Sequence, residues 1–274
     1  MSSIFKGILY PADLPTFHRL PAPPEVQNLV SWFWIPEWDI EPGRSSRQQL
    51  LAFPASNLVV QRDAVELSGP TTRISQQDLS GRGWAVGALL RPAAIPFFTG
   101  NPGELRDTKL VLGAPGLLAA VVHAMDGTTP ERRRERAVAA FAAWLAEQIP
   151  EVTAEARLAN AMADEIAGNP GLVRIEDVAE RMSVSTRTLQ RLARKYVGLS
   201  PSALIRRRRL QEAADRARTH PELELAAVAA ESGYADQAHL ANDFQRFLGF
   251  TPSNYRRSAG GRPDAEVTGP ASGQ

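Results

Sequence analysis

Two rhythms of apolar residues divide this chain. Over the first hundred residues the apolar stretches are short, at 29–35, 49–53, 58–61, 65–67 and 84–90. Proline and glycine interrupt them at Pro21-Ala-Pro-Pro24, Glu41-Pro-Gly43, Gly69-Pro70 and Asn101-Pro-Gly103, a punctuation that long helices do not survive. Strand-length runs between turn signals predict a small antiparallel sandwich or barrel, with strands between about residues 25 and 95. From about Pro130 the period lengthens. Ala137, Val138, Phe141, Trp144, Leu145 and Ile149 fall three or four apart, which stacks them on one face of a helix that begins near Glu131 and stops at Pro150. Such a stripe serves packing within its own domain or a dimer interface.

Beyond residue 153 the pattern is helical throughout and the segments are short. They are predicted at about 154–167, 175–182, 186–197, 201–218, 223–231, 237–248 and 252–257. The stretch 258–274, rich in Gly, Pro, Ser and Ala without an apolar period, reads as a disordered tail. The predicted organisation is α+β and multidomain, with a β-rich domain and trailing helices over 1–150 and an all-α domain over 151–257.

The chain has 274 residues, 43% hydrophobic and 22% charged, enough for two ordinary cores. Cysteine is absent, which removes disulfide scaffolds, thiol catalysis and thiolate metal sites. The four histidines are far apart, and no HExxH, no phosphate-binding Gly-Lys-Ser/Thr loop and no GxSxG elbow occurs. No cofactor and no metal is expected. No run of apolar residues approaches a bilayer span and no signal-like start is seen, so a cytoplasmic protein without membrane contact is expected. Net charge is only +1, but residues 153–257 hold 16 basic against 13 acidic side chains, with clusters at 187–195 and 206–209. That bias is compatible with a nucleic-acid partner.

The chemistry lies in an internal repeat. Val178-Ala179 and Met182-Ser183-Val184 match Val228-Ala229 and Ser232-Gly233-Tyr234; Tyr196-Val-Gly-Leu-Ser-Pro201 matches Phe247-Leu-Gly-Phe-Thr-Pro252. Each copy outlines a short helix with an internal alanine, a tight connection, and a second helix ending at glycine, which is a helix-turn-helix. The small alanine lets two steeply crossed helices approach. Gly233 suits a left-handed turn without a Cβ penalty; Ser183 is costlier there, so the first connection is expected to differ in detail. Ser185 and Asp236 are placed to cap the second helices.

Leu189, Leu192 and Tyr196, and Leu240, Phe244 and Phe247, form the buried stripes. The opposite faces carry Thr186, Arg187, Gln190, Arg191 and Arg194 in the first copy, and Gln237, Ala238, Ala241, Asn242 and Gln245 in the second. Arginine can bond guanine O6 and N7 together, and Gln or Asn can do the same to adenine. Thr186, Arg194, Lys195, Arg246 and Arg256 suit phosphates. His239 reads as a partly buried helix residue. Of the Arg206–Arg209 run, some members would reach phosphate and others pair with Glu212 or Asp215.

Residues 172–257 resemble the DNA-binding domain of the AraC/XylS family of bacterial transcription regulators, which joins two helix-turn-helix units by a long central helix. The likeness runs through Asp177-Val-Ala-Glu-Arg-Met-Ser-Val-Ser-Thr-Arg-Thr-Leu-Gln-Arg191, Arg209-Leu-Gln-Glu-Ala213, Val228-Ala-Ala-Glu-Ser-Gly-Tyr234 and Phe244-Gln-Arg-Phe-Leu-Gly-Phe-Thr-Pro252 to Tyr255-Arg256. It implies a first unit at about 175–197, a linker helix at 201–218 and a second unit at 223–248. Both second helices would enter successive major grooves of double-stranded DNA, about 34 Å apart. By position, the base readers it implies are Arg187, Gln190 and Arg191, with Gln237, Ala238 and Asn242. Asp243 stands where such proteins often carry arginine and would repel phosphate if it faced DNA, so the first unit is expected to contribute more specificity.

The same resemblance implies a regulatory front half: a cupin-like sensor with helices that support homodimerisation, with RNA polymerase as a further partner. Residues 87–102 and Glu104-Leu-Arg-Asp107 are similar to a variant sensor domain of some such regulators. Trp32, Trp34, Trp38, Phe53, Trp84 and Phe97, with Phe33 and Phe98, are the candidate lining of a pocket for a small-molecule effector, or an ordinary barrel core. Three readings follow: an effector-responsive transcription regulator, a constitutive DNA binder whose front half only assembles, and an enzyme fused to a DNA-binding tail. The last lacks any paired nucleophile and base, and a non-enzyme is expected.

Overall fold

In the computed structural model the described residues are 16–260, apart from 51–53, 72–74, 127–128 and 150. Strands β1 (Thr16–Pro21), β2 (Val30–Asp39), β4 (Asn57–Val60), β5 (Val65–Ser68), β8 (Val86–Leu90) and β9 (Lys109–Val111) form one antiparallel sheet in the order β1-β2-β8-β4-β5-β9; β7 (Arg82–Trp84) also pairs with β2. A separate two-stranded ribbon joins β3 (Ser45–Leu50) to β6 (Ser75–Ser80). The α+β organisation read from the sequence is the one observed, a β-rich front domain followed by an all-helical one. Strands β1, β6 and β9 escaped the sequence reading, because each is short, largely polar or at a sheet edge and carries little apolar alternation.

Strand β2 shows what organises the front domain. Phe33 and Ile35 are fully buried on one face, where helices α2 (Pro115–Met125) and α3 (Pro130–Gln148) pack. Phe33 meets Phe141 edge-on with ring centroids 5.4 Å apart. The α3 stripe is therefore turned onto its own sheet. Glu37 reinforces this layer by accepting from Arg133 at 2.8 Å and from Arg134 at 3.4 Å.

The opposite face of β2 presents Trp32, Trp34 and Trp38, all half-buried. Trp34 stacks on Phe17 and donates through Nε1 to the Asn57 side chain at 3.0 Å; Arg19 lies over the Trp32 ring at 4.8 Å. A Cβ on Gly87 would stand 2.1 Å from the Trp34 ring, so only glycine lets that indole lie flat across β8. The candidate effector residues thus divide. Phe33 belongs to the helix-side core, and Trp84 packs against that core as the register partner of Glu37. Phe97 is 47% exposed on the short helix α1 (Ile95–Phe98), where its ring meets that of Phe98. Phe53 and the tail beyond residue 260 lie outside the described residues.

The back domain holds α4 (Ala154–Gly168), α5 (Ile175–Arg181), α6 (Thr186–Tyr196), α7 (Pro201–Thr219), α8 (Leu225–Glu231), α9 (Gln237–Leu248) and α10 (Pro252–Gly260). It has two cores. Leu204 and Ile205, near the start of α7, join the core of α4, α5 and α6, whereas Leu210, Ala213, Ala214 and Ala217 join that of α8, α9 and α10. One helix belonging to both cores fixes the two units in relation to each other.

The front domain docks on the first unit. Asn160 of α4, 3% exposed, accepts from the Ala93 amide at 2.9 Å and donates to the Asn28 carbonyl at 2.8 Å, while Arg91 ion-pairs with Asp164. Arg106 donates to the Gly198 carbonyl at 3.2 Å, just past the end of α6.

Candidate nucleic-acid interface

Helices α5 and α6, and α8 and α9, form two units with the same connection. Ser183 and Gly233 both adopt the left-handed conformation, with φ of 53° and 76°. The Val184 amide donates to the Ala179 carbonyl at 3.0 Å, and the Tyr234 amide to Ala229 at 2.9 Å. The expected difference between the two turns is thus absent; serine accepts the left-handed strain because the surrounding bonds hold it. Both alanines are buried where the helices cross.

The caps sit as their residue types require. Ser185 Oγ accepts from the Thr188 amide at 3.1 Å, and Asp236 Oδ1 from the His239 amide at 2.7 Å. Ser185→Ala is expected to cost about 1 kcal/mol in urea unfolding by exposing that amide at the start of α6, and an unchanged midpoint would show that the cap contributes nothing.

On α6, Leu189, Leu192, Ala193 and Tyr196 are buried, and Arg187, Gln190, Arg191, Arg194 and Lys195 are exposed. Successive 100° steps place Gln190, Arg194, Arg187 and Arg191 in that order across the outer face, with Lys195 beside Arg191 at one edge. Thr186 is half-buried in the first turn. On α9 the exposed residues are Gln237, Ala238, His239, Asn242, Gln245 and Arg246. Both outer faces are therefore open and rich in donors.

Three expectations change here. Asp243 is 7% exposed and turned inward beside Tyr234, whose phenol is pushed up first by burial and then by the Asp243 charge. The ground for a weaker second unit, a carboxylate facing phosphate, is gone. His239 is exposed, with its ring edge-on to Tyr234 at 5.1 Å. Arg256 is half-buried and donates to the Pro221 carbonyl at 3.2 Å, so it braces the fold.

Three members of the arginine run at the start of α7 are also structural, while Arg206 is exposed. Arg207, 5% exposed, donates to Thr71 of the front domain at 3.4 Å. Arg208 donates to the carbonyls of Asn169 and of Leu172, the latter at 2.9 Å. Arg209 lies over Tyr234 at 4.2 Å and donates to the Ser232 carbonyl at 3.1 Å and to that of Gly233, tying the second turn to the linker. Asp215 pairs instead with Arg218. Sequence spacing misses these arginine partners on other segments because each lies more than 20 residues away.

One acidic residue enters the interface. Glu155, in the first turn of α4, ion-pairs with Arg191 and Lys195 and accepts from the Tyr196 hydroxyl at 2.9 Å. Bonds from Arg191, then Lys195, then Tyr196 hold its carboxyl down at about 2. Nothing local in the sequence marks it, since its partners are 36 to 41 residues distant.

Two family models match. A helix-turn-helix domain covers residues 178–258, and a domain of unknown function (DUF6597) covers 18–110. The transcriptional activator AarP of Providencia stuartii is 36% identical over 90 residues, 33% of this chain and 66% of that protein. The activator RhaS of Escherichia fergusonii is 33% identical over 82 residues, 30% of this chain and 29% of its own. An uncharacterised helix-turn-helix regulator of Haemophilus influenzae is 33% identical over 84 residues, 31% of this chain and 28% of its own. This chain thus spans between 28% and 66% of the length of these relatives. Among solved structures, ToxT of Vibrio cholerae aligns over 89% of this chain and 97% of its own, at 12% identity and a TM-score of 0.39. With their paired units, shared linker helix and matched positions, residues 178–258 form a helix-turn-helix domain of the AraC type.

Proposed function

We propose that this protein is a sequence-specific, DNA-binding transcription regulator, dimeric in action, whose front domain takes a small effector. The observation that carries the reading is the pair of open, capped recognition helices held by one linker. Arg187, Gln190 and Arg191, with Gln237, Ala238 and Asn242, are the base readers in this reading, which their exposure on the two helices supports. Arg194, Lys195 and Arg246, with Thr186 at the helix start, are suited to phosphates. The names of the matched relatives, activators and regulators, agree with this role.

For the effector, the Trp32, Trp34 and Trp38 face is the part of the candidate aromatic set that shares one surface. An aromatic wall with Asn57 and Arg19 beside it suits a small, largely apolar molecule with a polar end. The docking through Asn160 gives that domain a physical route to α6, which favours a responsive regulator over a passive tether.

Selection of bound fragments from genomic DNA, with and without a panel of small aromatic and aliphatic acids, tests both parts. A recovered consensus whose affinity falls steeply with salt, by about 0.9 in log–log slope per neutralised phosphate, is expected. No protected fragment even at low salt would overturn the DNA reading. A consensus bound equally with every compound would favour the constitutive one.

A further inference from the structure

We propose that Glu155 is a positioning residue for base readout, bracing the Arg191 guanidinium from outside the helix-turn-helix and so setting which base that arginine selects. The inference rests on the DNA-binding reading above and goes beyond it, because Glu155 lies on α4, which touches no groove in that reading.

The geometry is specific. Arg191, Lys195 and Tyr196 follow one edge of α6 at i, i+4 and i+5, and one carboxylate serves all three. Its anchor is Tyr196, only 4% exposed and therefore fixed by the core of the first unit. That separates this cluster from an ordinary surface pair between two mobile chains. Arg191 meets Glu155 through Nη1, while 56% of its side chain stays exposed. Arginine has five donors in a rigid fork, so one edge can be held by a carboxylate while another is presented to a base. A guanidinium already oriented loses less rotamer freedom on binding.

The charge has a second effect. A carboxylate at the rim of a DNA-facing surface repels phosphate wherever the arginine finds no base to bond, which lowers affinity for unrelated sequences. Its low carboxyl pKa keeps that charge in place at every pH used for binding. The second unit has no counterpart among the described residues: Arg246, equivalent to Lys195, lies over Phe247 and forms no ion pair there.

The test uses the full chain. Binding of the wild-type consensus and of a random duplex is measured by fluorescence anisotropy, and fragment selection is repeated with Glu155→Gln. The variant is expected to bind random duplex more tightly, to lose about fivefold or more in the consensus-to-random ratio, and to relax its preference at one base position. Tyr196→Phe, which removes the hydroxyl that anchors the carboxylate without changing charge, is expected to lower the ratio while leaving random binding unchanged. If Glu155→Gln tightened both duplexes by one factor and returned the same consensus, the carboxylate would be a mere charge and the inference would fall. Should Glu155→Gln fail to fold, an unchanged ratio in Tyr196→Phe overturns it equally. A wild-type protein that selects no sequence would defeat the functional reading itself, a result distinct from either.

Discussion

Gly198→Ala is expected to lower stability by about 2–5 kcal/mol, whereas Gly249→Ala costs about 1–2 kcal/mol. The two glycines are equivalents in the repeat, each following a recognition helix with φ of 80° and 78°. The left-handed penalty for an L residue is therefore common to both. Their surroundings differ. A Cβ at Gly249 meets nothing within 4 Å, but at Gly198 it would stand 2.3 Å from the Pro102 carbonyl oxygen and 2.8 Å from the Gly103 nitrogen. These are backbone atoms of the 3-10 turn Pro102–Leu105, which cannot rotate away as a side chain can. The Arg106 bond to the Gly198 carbonyl closes the same contact from the other side. Relief would require the front domain to step back from α6. Calorimetry of the two variants gives the answer directly: Gly198→Ala should melt several degrees below Gly249→Ala, at roughly 2–4 °C per kcal/mol for domains of 150–250 residues. Equal melting temperatures would mean that the front domain does not press on this position.

That contact was out of reach of sequence reasoning, and the reason is instructive. The repeat revealed both glycines as helix stops, because a stop is a local property of φ. What lies against a stop is a tertiary fact. The back domain was legible almost throughout, since caps such as Ser185 and Asp236, crossing alanines and apolar stripes all act within a few residues. Helix α3 was legible as a helix, but not which partner its stripe met until Phe141 was seen against Phe33.

The front domain was legible only where strands alternate cleanly. Strand β2 does so, which is why its tryptophans stood out; yet alternation alone could not tell Trp34 on one face from Trp84 on the other side of the sheet. Charged residues misled most. By spacing, the Arg206–Arg209 run divides between phosphate and nearby carboxylates, but three of its members bond carbonyls or a hydroxyl of other segments. A run of arginines is equally a way to satisfy distant backbone acceptors, and spacing does not distinguish the two uses.

Arg191→Ala is expected to weaken binding to the selected sequence by about 5- to 150-fold, the value of about 1–3 kcal/mol for one bidentate base contact. Binding to random duplex should change only a few-fold. Arg194→Ala is expected to weaken both, with the log–log salt slope shallower by about 1, as befits a side chain that meets phosphate. The distinction follows from position on α6: Arg194 lies on the outer face without an ion partner among the described residues, while Arg191 is oriented by Glu155. Arg191→Lys separates charge from shape. Lysine keeps the positive charge but has no planar fork, so it should retain the random-duplex affinity and still lose most of the discrimination. Anisotropy titrations of the three variants at several salt concentrations measure each quantity. Equal losses on every duplex for Arg191→Ala, or full discrimination in Arg191→Lys, would assign Arg191 to the phosphate backbone and leave Arg187 and Gln190 to read the groove.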